Sequence, residues 1–167
     1  MRGRVVPGSV RSGVRPTSSR VREALFSIVG QDLTNVRVLD AFGGSGLLSF
    51  EAYSRGATVT TVERHRATAR QIQEAAQSLG AKLDLRTEDV RHVLSVGSWD
   101  VVLMDPPYAD DPVEWAVAAA TATDDILVIE HRTGAEMPNS IGRLQLDRSR
   151  RHGDSVLTIY RRGSDAG

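Results

Sequence analysis

Strand-like and helix-like segments alternate along nearly the whole chain, and this alternation limits the fold more than any single motif does. Residues 36–40, 58–63, 82–86, 99–104 and 125–130 read as short apolar or β-branched strands. Between them 46–55, 65–79, 90–95 and 112–121 read as helices. A further helix over about 19–30 comes first, with Thr17 or Ser18 as its cap and Val21, Leu25, Ile28 and Val29 at helical spacing. Strands joined through helices return by right-handed crossovers, so the expected fold class is α/β, a mostly parallel sheet with helices on both faces. Two later runs, about 142–148 and 154–161, joined by Arg150-Arg151-His152-Gly153, predict an antiparallel hairpin at the C-terminal end. The 167 residues divide into a basic N-terminal arm, 1–16, rich in Gly, Pro, Ser and Arg, and a domain over 17–167.

In an open α/β sheet ligands bind beyond the carboxyl ends of the strands, and this directs attention to the residues found there. Asp105-Pro106-Pro107-Tyr108 follows the buried-strand run Trp99-Asp100-Val101-Val102-Leu103-Met104. Each proline fixes its own φ and biases the residue before it towards extended geometry, so the Asp105 carboxylate and the Pro106 carbonyl are held as two acceptors facing one spot. Tyr108 can stack on a flat heterocycle beside them. The group that matches is an exocyclic amine: its two hydrogens go to the acceptors and its lone pair turns towards an electrophile, which is amino-methylation chemistry. An isolated D-P-P-Y reads equally well as a tight Pro-Pro turn.

The loop Asp40-Ala41-Phe42-Gly43-Gly44-Ser45-Gly46 follows the first strand of the alternating series and leads into a helix. A dinucleotide site would want a third glycine at position 49, where this chain has Ser49. The helix end can instead take a carboxylate while Asp40 meets an ammonium, the two charges carried by the methionine half of S-adenosylmethionine. Phe42, Gly44 and Gly46 belong to the same expected cofactor-binding set. Glu63 closes the next strand, where an acid accepts both ribose hydroxyls. Asp89 can take the adenine amino group, with Val90 against the ring, although Glu88 competes with Asp89 for that role.

Composition narrows the partners. Formal net charge is zero, but Arg2, Arg4, Arg11, Arg15, Arg20 and Arg22 all precede the first acid, Glu23. A second group runs from Arg143 through Arg148, Arg150 and Arg151 to Arg161 and Arg162, so both ends suit a polyanion. The absence of cysteine excludes disulfides and thiolate metal sites. The four histidines, His65, His92, His131 and His152, have no short metal-ligand spacing, and no metal is expected. No run is long and apolar enough for a membrane span or a signal peptide, and the chain reads as cytoplasmic.

Three blocks, Arg15-Pro16-Thr17-Ser18-Ser19-Arg20-Val21-Arg22-Glu23-Ala24-Leu25-Phe26-Ser27-Ile28, the stretch from Val38 to Ala57, and Asp105-Pro106-Pro107-Tyr108, resemble the bacterial 16S rRNA guanine-N2 methyltransferases. The likeness continues through Val128-Ile129-Glu130-His131 to Gly153–Tyr160. It implies a seven-stranded, Rossmann-like methyltransferase core, S-adenosylmethionine as methyl donor, and the guanine usually numbered 966 as acceptor. Carried over, Asp105, Pro106, Pro107 and Tyr108 form the catalytic motif. Arg15, Arg20 and Arg22 fall beside the RNA. The partner is 16S rRNA within the small ribosomal subunit or an assembly intermediate, approached by a monomer. The family usually has alanine where this chain has Gly43. Because D-P-P-Y also serves enzymes that methylate adenine N6 in DNA, that activity is the first alternative. A non-catalytic rRNA-binding assembly factor of the same fold is the second, and a nucleotide-binding dehydrogenase the third.

Overall fold

A computed structural model describes residues 18–164 and separates into two compact units whose boundary falls between Val90 and Arg91. The first unit contains α1 (Ser19–Val29), β1 (Arg37–Asp40), α2 (Leu47–Ser54), β2 (Thr58–Val62), α3 (Arg66–Leu79) and β3 (Asp84–Arg86). The short α4 (Val90–Val96) begins at the boundary. The second unit contains β4 (Trp99–Met104), α5 (Pro112–Ala120), β5 (Thr123–Arg132), β6 (Ser140–Ile141), β7 (Leu144–His152) and β8 (Ser155–Arg162). Apart from the two-residue β6, seven strands are present among the described residues, as the resemblance implies. The arm lies outside the described residues.

In the first unit β1, β2 and β3 are parallel, with Asp40 opposite Thr61 and Val62 opposite Arg86. Of the two candidate caps, Ser18 is the described one, and its side chain accepts a 3.2 Å bond from the Val21 amide. Helix α3 buries Thr68, Ala69, Ile72, Ala75 and Ala76, residues three or four apart that form one face. That face packs with Phe50 of α2 and with Leu79, Ala81, Leu83 and Leu85. Arg55, just past α2, sets its guanidinium 4.9 Å from the centre of the buried Phe26 ring, tying α1 to the end of α2.

In the second unit β4 and β5 are parallel, with Leu103 opposite Val128 and Met104 opposite Ile129. Both are buried along most of their length, the pattern of strands covered on two faces. β8 runs antiparallel to β5, β7 to β8, and β6 to β7. The predicted hairpin is present, but its link is not Arg150-Arg151-His152-Gly153. Strand β7 continues to His152, with Arg150 opposite Leu157 and Arg151 opposite Val156, and the turn is Gly153-Asp154. The reason is conformational: Gly153 takes a φ of 61°, so the reversal sits on the residue that adopts it without strain, and the arginines before it stay extended. The two-residue β6 is too short to leave a periodic signal in the sequence.

The entry to α2 depends on one glycine. Gly46 has a φ of 81°, and a Cβ there would come within 2.8 Å of the Phe50 ring. Gly46→Ala should therefore destabilise the fold by about 1–2 kcal/mol from the left-handed φ alone, with the Phe50 contact adding to it. Chemical denaturation checks this, and an unchanged midpoint would show that the loop relaxes freely at this residue.

Candidate functional site

The loop that follows β1 is built around two buried carboxylates. Asp40, the last residue of β1, is only 2% exposed. The Ser49 hydroxyl donates to Asp40 Oδ2 at 2.7 Å and lies 2.7 Å from Thr61 Oγ1. Because Ser49 has a single proton and gives it to Asp40, the Thr61 hydroxyl donates to Ser49. The chain Thr61–Ser49–Asp40 fixes the carboxylate's rotation from α2 and β2. In the sequence Ser49 registers only as a missing dinucleotide-site glycine, and its positioning role arises from the packing of α2 against β1 and β2, which no local pattern announces.

Glu63, 8% exposed, follows β2. Its Oε2 accepts from the Gly44 amide at 2.9 Å and its Oε1 from the His65 amide at 3.0 Å. Each carboxylate oxygen keeps a further lone pair with which to accept a hydroxyl. The loop's glycine amides turn inward: Gly43 donates to Val62 O and Gly46 to Gly43 O, each at 2.7 Å. The loop therefore offers a ligand close backbone approach and the start of α2, while its glycine N–H groups hold the loop's own shape. At Gly43 an alanine Cβ would stand 2.9 Å from Thr61 Cγ2, so the threonine methyl fills the space that an alanine there would take. Phe42 is half-buried in the same loop. The Glu63 amide donates to Arg86 O at 2.9 Å, bringing the ends of β2 and β3 together. Asp89 follows soon after β3 with its side chain exposed, and Val90 is buried as the first residue of α4. Asp40, Phe42, Gly44, Gly46 and Glu63 thus share one edge, with Asp89 and Val90 beyond the neighbouring strand.

Asp105-Pro106-Pro107-Tyr108 leaves the end of β4. Asp105 is half-buried, Pro106 buried, and Tyr108 38% exposed. The segment beyond is fixed in three steps. The Asp110 amide donates to Pro107 O at 3.0 Å, the Trp115 indole donates to Asp110 Oδ2 at 2.9 Å, and Asp111 caps α5 through the Val113 amide at 2.9 Å. An open cavity of about 170 Å³ lies here, lined by Pro106, Pro107 and Tyr108 and, from β5, by Glu130, His131 and Arg132 among others. Arg132 places its guanidinium carbon 4.9 Å from the centre of the Tyr108 ring. His131 is a packing residue: Nε2 lies 2.7 Å from Thr158 Oγ1 and Nδ1 2.8 Å from Arg132 O. Glu130 and Arg132 are absent from the residue set drawn from the sequence, where Glu130 appears only within a block of family likeness. Their signal was the two-residue spacing at the end of the strand next to β4.

Burial, and then the charge of Glu130, pushes the Asp105 carboxyl up to about 7. Of the arginines expected at RNA, Arg20 is exposed on α1, Arg22 is half-buried, and Arg15 lies outside the described residues. Arg148 and Arg161 both pair with Asp147, at 2.9 and 3.2 Å. Among the described residues no three acids or histidines converge as a metal site, and no helix is long and apolar enough to cross a membrane.

Comparison with known proteins sets these features in a family. A family model described as "Conserved hypothetical protein 95" matches residues 1–161. The ribosomal RNA small subunit methyltransferase D of Escherichia coli strain K12 is 28% identical over 170 residues, covering 96% of this chain and 86% of the relative. The protein of the same name from Haemophilus influenzae is 35% identical over 127 residues, covering 70% of this chain and 65% of the relative. A solved structure of a putative methyltransferase from Escherichia coli superimposes with a TM-score of 0.80 at 27% identity, covering 94% of this chain and 92% of that one.

The raised Asp105 carboxyl has a measurable consequence. Its folded value, about 7, lies above its unfolded value of 3.8, so the neutral form favours the fold. That contribution is complete below about pH 3.8 and is lost as pH rises through about 7. Relative to Asp105→Asn, which stays neutral, the native protein should lose stability over this window and level off above it. Denaturation midpoints of the two proteins across pH check this, and parallel curves would show that Asp105 titrates normally.

Proposed function

We propose that this chain, which belongs to the family described as conserved hypothetical protein 95, transfers a methyl group from S-adenosylmethionine to the exocyclic N2 of a guanine in 16S rRNA. One observation carries the reading: an Asp-Pro-Pro-Tyr motif at the end of a parallel strand, with its tyrosine exposed beside a cavity, in a chain whose relatives are rRNA methyltransferases along most of its length. The fold likeness to a methyltransferase supports the same reaction class.

The chemistry of the loop residues fits the methyl donor. Asp40 has the charge to meet an ammonium, and the start of α2 suits a carboxylate. Glu63 has lone pairs for a pair of ribose hydroxyls, Asp89 an acceptor for an adenine amine, and Phe42 and Val90 apolar surface for a ring. When bound, S-adenosylmethionine supplies an electrophilic methyl on a sulfonium whose positive charge disperses during transfer. Positioning therefore matters more than strong acid catalysis. On the acceptor side Asp105 and the Pro106 carbonyl take the two N–H bonds of guanine N2, and Tyr108 stacks on the base. Once nitrogen has gained its methyl it must shed a proton, and Asp105, poised near neutrality, is placed to receive it.

A guanine inside a helix would not reach such a pocket, so the substrate base is unpaired or flipped. Arg15, Arg20 and Arg22 hold the surrounding phosphates, with the small subunit or an assembly intermediate as the particle engaged. The protein works as a cytoplasmic monomer. The DNA adenine alternative is disfavoured by the relatives, which are named as ribosomal RNA methyltransferases, and the non-catalytic alternative by the intact Asp105 and Glu63.

Transfer of label from S-adenosylmethionine to under-methylated small subunits tests the reading. Asp105→Ala should lower kcat far more than it weakens cofactor binding. Native turnover should fall as pH drops through about 7, where Asp105 gains its proton and loses an acceptor. Glu63→Ala should weaken cofactor binding by about 1.5–3 kcal/mol, the range for hydrogen bonds to a charged group. Calorimetry with unchanged affinity would remove Glu63 from the site, and near-normal turnover in a folded Asp105→Ala protein would remove Asp105 from the reaction.

A further inference from the structure

We infer that Glu130 selects guanine, by accepting the N1–H that lies beside the amine to be methylated. The inference rests on the guanine-N2 reading above and adds to it the residue that chooses the base, which the Asp-Pro-Pro-Tyr motif alone does not do.

Placement comes from strand geometry. β4 and β5 are parallel neighbours with Met104 opposite Ile129, so the residues that come next are Asp105, just past β4, and Glu130 on β5. Side chains two apart on a strand share a face, so Glu130 and Arg132 project to one side of β5, and His131 between them reaches Thr158 instead. The face is identified by Arg132, whose guanidinium lies over Tyr108. Glu130 lines the same cavity as Pro106, Pro107 and Tyr108. The influence of its charge on Asp105 agrees with that proximity.

The chemistry of the bases then assigns the role. On its pairing edge guanine presents the N2 amine next to an N1–H, two adjacent donors. Adenine and cytosine each present their amine next to a bare ring nitrogen, an acceptor. A carboxylate beside the amine-binding acceptors matches the first pattern and sets lone pair against lone pair in the other two. Asp105 and Pro106 grip an amine, and Glu130 tests the atom next to it.

The test uses 2-aminopurine, which keeps the N2 amine but has an acceptor at N1. Small-subunit rRNA carrying guanine or 2-aminopurine at the methylated position, made by ligation and reconstituted with small-subunit proteins, is assayed for transfer to N2. The native protein should prefer guanine by on the order of 10- to 100-fold in kcat/KM, the discrimination expected of one well-made base contact. Glu130→Gln, whose amide can donate to N1, should shrink that preference at least tenfold while cofactor affinity measured by calorimetry stays the same. Glu130→Ala should also shrink it, and serves if Glu130→Gln misfolds. Comparing variants cancels any intrinsic difference in reactivity between the two bases. A preference that stays the same in both variants would overturn the assignment, as would a native protein that methylates both bases equally. If the native protein fails on the guanine particle as well, it is the guanine-N2 reading that falls.

Discussion

A parallel strand must hand its chain on at its carboxyl end, and four of this protein's acids stand at or near such ends. Asp40 ends β1, Glu63 follows β2, Asp105 follows β4, and Glu130 stands near the end of β5. The central residues of β1, β4 and β5 are Val, Leu, Ile and Met, so in these strands a carboxylate costs least near the ends, where the chain leaves the strand. Even there each acid is constrained. Asp40 takes a hydroxyl from Ser49, Glu63 takes two backbone amides, and Asp105 responds to burial and to Glu130 by binding its proton more tightly.

Under the proposed function these constraints divide the acids by task. Glu63 stays accessible to a ligand through lone pairs its two amide bonds do not use, and those bonds prevent its rotation, so little ordering entropy remains to be lost on binding. Asp40 is treated similarly through Ser49 and Thr61. Asp105 is different, because its half-buried site beside Glu130 weakens its hold on a negative charge. A carboxyl balanced near neutrality can first accept an N–H and then a proton, which suits the acceptor side of a methyl transfer better than a strongly acidic group would.

The fold was legible because its determinants are local. Strand and helix periodicities, the Ser18 cap and the glycines that enter α2 all act within a few residues, and the observed elements fall within a few residues of their expected bounds. The hairpin link was misplaced because Arg150 and Arg151 read as loop by composition, whereas the only residue the reversal needs is Gly153. Asp40, Glu63 and Asp105 at strand ends were legible for the same reason as the strands. Ser49, Thr61, Glu130 and Arg132 were not, since each acquires its meaning from a neighbour distant in sequence: Asp40 for the first two, Asp105 and Tyr108 for the others. Sequence shows which residues stand at strand ends, and packing within each unit decides which of them support one another.

Chemical identification of the product tests the central claim most directly. Under-methylated small subunits are incubated with isotopically labelled S-adenosylmethionine and this protein, and the rRNA is digested and mapped by mass spectrometry. The account predicts label in N2-methylguanosine at a single position of 16S rRNA. Label in N6-methyladenosine, label confined to DNA in a parallel incubation, or no transfer by a folded protein that binds the cofactor would contradict it.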